Sequence, residues 1–557
     1  MKNVRKIELN RNSIKSFQDA LPWIVIFAGI VFTLYLQLQI PQDVFFSGDA
    51  GLKALLSKQL GSGQLRFDLV PPALGWVQNL WNNGLYPFET PFVYNLGNKY
   101  WITFPYTFPL ITAPFYALFG YRGFYVVPLV ATWAIWLSFY WAGRRLKLNN
   151  WLIAIGLAVV IFASHLSMYS AMYWEHTLAV ALAFHGFSTL LIPGERQGLS
   201  KKDAIISGIL IGLAVWFRPE FLCLVGILIG LVYLASLQNF RQLDFLNKRL
   251  NLSRLHYLTR NREIFVVSML VTVGLFFVSN KLIYNHPLGI HAIQVVEEQT
   301  KTQRLSDARK NFKELSRVIF EYLPITFFPV LYLGICAIAK RRFNIKLAVI
   351  YLICFFFIVG VSLIVPIGTQ GLIAGGLQWG TRFLLILVPI ISLVAIKELQ
   401  LIQLKAHRGI KYACFSIFTL LFVIGLYKNT FEGIAFLNKT HQGSEPAIQF
   451  LRKEPNRVIA MSHQFVAQVL EPALSGEKLF FRAEDSAKLV KLGSALVEQG
   501  NQTFIYVCYP HRKCKVPEAK PETLKFTKGD RRFKIQLAKL GKYGRYPIYK
   551  AAIAKDA

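Results

Sequence analysis

The sequence predicts a polytopic α-helical membrane protein of about eleven transmembrane helices, followed by a small extracytoplasmic α/β domain. Three observations predict it. Hydrophobic residues make up 54% of the 557-residue chain and mean hydropathy is +0.40, which moves it out of the soluble class. Apolar runs long enough to cross a bilayer recur from Leu21 to about residue 427. Residues 428–557 then change character, with charged residues throughout and short apolar stretches alternating with helical patterns.

The net charge of +32 would suggest nucleic acid in a soluble protein. Here the Lys and Arg gather in short loops between apolar runs, as the positive-inside rule expects, and no basic stripe with base-stacking aromatics occurs; nucleic-acid binding is excluded. A basic lead (Lys2, Arg5, Lys6, Arg11, Lys15) precedes the first run, Leu21 to Ile40. That run is long enough to span, and Ile40-Pro41-Gln42 offers no small-residue cleavage site, so an uncleaved first span with a cytoplasmic N-terminus is expected.

The segment 41–121 is expected to be a folded outward loop, near balance in charge and rich in Pro and aromatics. Its end, 104–120, is apolar but carries Pro105, Pro109 and Pro114, and is expected to be re-entrant or interfacial. Further spans are expected at about 122–142, 151–169, 177–192, 203–217, 220–238, 264–283, 322–339, 346–366, 380–397 and 410–427. The loop charges agree: Arg144 to Lys147, Arg196 to Lys202, Arg241 to Arg262, Lys340 to Arg342 and Lys397 to Lys411 all fall on one side. The loops around Trp174-Glu175-His176 and 366–378 are almost free of Lys and Arg. One loop, 285–321, dissents with six cations and five acids. The pairs Gly208/Gly212 and Gly226/Gly230 read as close helix packing. The expected division is thus 1–427 and 428–557. In the latter, 457–461 and 503–507 read as strands, 486–499 as a helix and 532–552 as further strand. Cys508 and Cys514 suit a loop disulfide in an extracytoplasmic tail.

Four clusters carry candidate chemistry. Asp49, in Ser47-Gly48-Asp49-Ala50, follows the first span; it reads as a helix cap or as a catalytic carboxylate at the water interface. Glu175 and His176 stand at a span boundary, as do Arg218 and Glu220, where Pro219 breaks the helix. Gly375-Gly376-Leu377-Gln378-Trp379-Gly380-Thr381-Arg382-Phe383 leads into a span with a guanidinium at its mouth, suited to phosphate. Lys99 is a candidate of the same kind, while His165 and His185 read as polar packing groups.

With Asp49, Glu175-His176, Arg218-Pro219-Glu220 and Trp379 to Phe383 in this order and sidedness, the chain resembles the GT-C class of membrane glycosyltransferases, near protein O-mannosyltransferases and aminoarabinose transferases. The first loop has no Lys-Pro-Pro, unlike the aminoarabinose enzymes, so the resemblance carries no acceptor with it. What it implies is a bacterial cell-membrane enzyme that moves a monosaccharide from a polyprenyl-phosphate carrier to a hydroxyl of a glycan, lipid or protein, outside the cytoplasm. Asp49, Glu175 and His176 would be catalytic, Arg382, Arg218 and Lys99 would meet the phosphate, and Glu220, Trp379 and Gln378 would line the pocket. No cofactor is required, though Mg or Mn held by Asp49 and Glu175 fits some relatives. The competing readings are a transporter or lipid flippase with Arg218 and Glu220 in its pathway, and a glycan ligase using a diphosphate carrier.

Overall fold

The computed structural model describes residues 2–192, 199–237, 261–290, 300–338, 345–365 and 378–556. The Gly375–Leu377 turn, the outward loop 366–377 and the basic segments around Arg196, 238–260 and 339–344 lie outside the described residues. The chain forms two compact units: Met1–Leu38 with Val127–Ala435, and Gln39–Val126 with Phe436–Ala557. This differs from the division expected at 427/428, because the first loop folds with the C-terminal segment.

The first unit is helical, and a helix stands at each span position expected within it. Across the described residues of the chain, six helices are long and apolar enough to cross a membrane alone, or eight if each of two bent pairs counts as one span. One pair, Asn150–Phe162 with His165–Ala171, bends by 54°; the other, Thr302–Tyr322 with Pro324–Cys336, bends by 107°. The expected loop 285–321 is helical over much of its length: Lys301–Tyr322 is a helix, opened by a capping box of Thr300 and Gln303. The glycine pairs separate. A Cβ on Gly208 would lie 2.1 Å from Ser268 Oγ, and one on Gly212 2.6 Å from Thr272, so helices Lys201–Phe217 and Arg262–Tyr284 touch through them. Gly226 and Gly230 face no described atom within 4 Å, so the packing expected of them is not seen. His185 is the polar packing group expected, paired with Ser138 at 3.0 Å.

The second unit is built on a six-stranded sheet. Its first strands, β1 (Val93–Leu96) and β2 (Lys99–Ile102), form a separate hairpin whose turn residues Gly97 and Asn98 both have positive φ. The main sheet runs β4 (Leu479–Arg482), β3 (Val458–Met461), β5 (Thr503–Val507), β8 (Tyr546–Lys555), β7 (Arg531–Tyr543), β6 (Lys525–Lys528). Strand β3 pairs parallel to β4 and β5, the others antiparallel. All four residues of β3 are buried, which is why it read as an unbroken apolar run. Cys508 and Cys514 are bonded. The segment 104–120, expected to be re-entrant or interfacial, contains a helix from Thr107 to Phe119 with Pro114 inside it. Pro105 precedes that helix and Pro109 lies in its first turn, where a missing N–H costs no ladder bond.

Candidate active site

Asp49 lies in the first turn of the helix Gly48–Gly61. The cap is Ser47, whose Oγ accepts from Ala50 N at 3.3 Å, so the capping reading of Asp49 is corrected by two residues. A carboxylate in the first turn is favoured by the helix dipole, and Asp49 is half-buried. The small residues around it have a steric reason. A Cβ on Gly51 would fall 1.9 Å from the Gln468 carbonyl oxygen, and one on Gly48 2.4 Å from Gln468 Oε1. The helix bearing Asp49 therefore lies backbone to backbone on helix Gln464–Leu474, which fixes the carboxylate's position. One turn on, Lys53 is buried with its ammonium 4.5 Å from the Phe104 ring centre. The i, i+4 spacing sets it on the Asp49 face of the helix. Sequence reading passed over Lys53; its place four residues after Asp49 was the available signal. Lys99 is exposed at the hairpin, its ammonium 5.9 Å from the Trp101 ring.

The other candidates gather in the first unit. Arg218 terminates helix Lys201–Phe217, because Pro219 cannot continue it, and its guanidinium donates to Glu175 Oε1 at 2.9 Å and to Glu220 Oε1 at 2.7 Å. Both carboxylates are buried, at 1% and 5% exposure, and Arg218 supplies each with an opposite charge. The Arg218 and Arg382 guanidinium carbons each lie 5.1 Å from the Phe383 ring centre, and Arg382 is also 5.1 Å from that of Trp174. His176 opens helix His176–Leu191, its ring centre 5.4 Å from Trp174 and 6.5 Å from Phe383. Two carboxylates and two guanidinium groups thus balance around shared aromatic rings.

Gln378 and Trp379 are buried beside this cluster in sequence, and Gly380, with φ +69°, makes the turn. A Cβ there would lie 2.6 Å from the His165 ring, so glycine is demanded twice over, by φ and by space. Tyr169 donates to the Trp379 carbonyl at 3.1 Å. Lys428 stands 5.5 Å from the Trp379 ring centre and pairs with Glu321 and Glu432. Neither the Tyr169 bond to Trp379 nor the place of Lys428 was legible, since each lies far along the chain from the Trp379 turn. Among the described residues no three His, Cys, Asp or Glu side chains gather as metal ligands. Glu175 faces a guanidinium, so this donor set does not fit a metal there, and no step is derived through one.

No family model matches the chain, and no curated protein does. Solved structures do. ArnT from Cupriavidus metallidurans bound to undecaprenyl phosphate superposes over 95% of this chain and 98% of its own, at 12% identity and a TM-score of 0.53. Its apo state matches equally, at 13% identity. The archaeal oligosaccharyltransferase AglB from Archaeoglobus fulgidus also matches, at 12% identity over 88% of this chain and 69% of its own, with a TM-score of 0.46. The chain has the GT-C-type fold that the order of its motifs led one to expect.

Proposed function

We propose that the protein transfers a monosaccharide from a polyprenyl-phosphate carrier to a hydroxyl acceptor on the non-cytoplasmic face of the membrane. The observation that carries this is the fold shared from end to end with ArnT, a protein crystallised with undecaprenyl phosphate. Asp49 takes the acceptor's proton as its oxygen bonds to the anomeric carbon; the bond from that carbon to the phosphate oxygen breaks, and the phosphate leaves with the electron pair. Such a leaving group is stable as an anion and needs no acid, which is why one carboxylate suffices. Arg382 meets the charge that the phosphate gains. Glu175 and Glu220 hold Arg218, and Arg218 and Arg382 share the Phe383 ring, so these three, with His176, Trp379 and Gln378, position Arg382. Lys99 is a secondary cation.

The N-terminus is cytoplasmic and the C-terminal segment extracytoplasmic in this reading, supported by the loop charges and by the Cys508–Cys514 disulfide, which suits an oxidising compartment. The test is transfer from a polyprenyl-phosphate sugar by purified protein. Asp49→Asn is expected to bind donor as wild type does and to lose about 10²–10⁴-fold in transfer. Unaltered transfer would remove Asp49 from the mechanism. Repeating the assay in EDTA checks for a Mg or Mn requirement.

A further inference from the structure

The second unit holds a cleft of about 860 Å³ that no step above uses. That size lies within the range of small-molecule pockets. One wall is the far half of the Asp49 helix, with Leu55, Lys58, Gln59 and Ser62; Trp81, Tyr86 and Tyr116 bring aromatic rings, and Arg457, Glu471 and Lys478 come from the C-terminal segment. Lys58 lies nine residues beyond Asp49, about 14 Å along the helix.

The charges in the cleft are arranged unevenly. Lys58 donates to the Pro472 carbonyl at 2.7 Å, and Lys478 to the carbonyls of Glu454 and Asn456. Carbonyl partners satisfy these donors without cancelling their charge. The nearby carboxylates Asp43 and Glu477 are shared with Arg452, at 2.9 and 4.0 Å. Arg457 adds a third, exposed cation. The one carboxyl in the wall, Glu471, has a buried Oε2 with no hydrogen-bond partner among the described residues. Burial pushes its pKa up to about 8, so at neutral pH it is largely an uncharged hydrogen-bond donor.

The geometry points to a binding site for an anionic saccharide, seated against the aromatic rings with its acid groups on Lys58, Arg457 and Lys478 and a sugar oxygen on Glu471. A sugar has the two properties that this wall answers, apolar C–H faces and a polar rim, and the excess of cations in the lining, Lys58, Arg457 and Lys478 against Glu471 alone, selects an acidic one. The inference rests on the proposed transferase reading only in making this saccharide the acceptor.

The test uses the full-length protein in detergent with four probes: trigalacturonate, neutral maltotriose, hexaglutamate and vesicles of phosphatidylglycerol. Trigalacturonate is expected to bind at least tenfold tighter than maltotriose. Arg457→Glu, at an exposed site that folding tolerates, is expected to erase that preference, and Asp49→Asn to leave it intact. Equal binding of the two sugars, tighter binding of hexaglutamate, displacement of trigalacturonate by the vesicles, or indifference to Arg457→Glu would each overturn the proposal. Retained saccharide selectivity in a protein that transfers nothing supports the cleft and sinks the transferase reading alone.

Discussion

The two units bury charge in opposite ways. In the first, Glu175 and Glu220 are buried with Arg218 between them, and each charge meets its opposite within 3 Å. In the second, the half-buried Glu471 has its Oε2 buried with no hydrogen-bond partner among the described residues and is neutralised by a proton instead. A guanidinium stays charged across the accessible pH range, so the first arrangement always keeps its cation and works as framework. A lone carboxyl with a pKa near 8 can gain or lose its charge under ordinary conditions, so the second is adjustable.

The largest effect that sharpens this contrast is removal of the shared cation. Arg218→Leu removes the cation that two buried carboxylates share and is expected to destabilise by about 3–5 kcal/mol. Thermal unfolding in detergent measures it, and a shift smaller than that of a surface control would mean that the two acids are not held by Arg218. Next comes the seat of Asp49. Gly51→Ala pushes a methyl carbon against the Gln468 carbonyl, and is expected to cost about 1–3 kcal/mol together with most transfer activity. Gly75→Ala, where a Cβ meets nothing within 4 Å, is the control. The smallest effect is on the pH profile. Glu471 has a folded pKa of about 8, above its ordinary 4.5, so its contribution to stability is fully present below 4.5 and is lost as pH rises through 8. Glu471→Gln is expected to match wild type near pH 5 and to exceed it at pH 9 by on the order of 2 kcal/mol. Parallel pH profiles for the two proteins would show that Glu471 is not the buried neutral acid described.

Much of the fold was legible because its signals are local. Runs such as Val458–Met461 and Thr503–Val507 are buried on both faces and read as strands; the helix Ser486–Glu498 shows its period directly. Within 104–120 only Pro114 sits where a ladder bond is lost, so a helix forms there despite three prolines. Strand β4 was missed because it is only four residues long and its two ends, Leu479 and Arg482, are half-buried, leaving just Phe480 and Phe481 as an apolar signal. At the candidate site, the ionisable residues were found by type and by their place at span boundaries. Their pairings were not, because Arg218 reaches Glu175 across 43 positions, and no periodicity encodes such a contact. Glu471 was invisible for the opposite reason: in Leu470-Glu471-Pro472 it looks like an ordinary solvated helix residue, and only the closing of first loop and tail around it takes the water away.

That closing has a cost in time. The second unit joins two segments, and roughly 300 residues separate Val126 from Phe436. At about 5–20 residues per second, a ribosome needs tens of seconds to cover that interval. Throughout it the helix with Asp49 has been made, but its seat on Gln464–Leu474 has not. A nascent chain stalled just before the tail therefore carries every motif of the transmembrane region and still lacks the surface on which its candidate base is held.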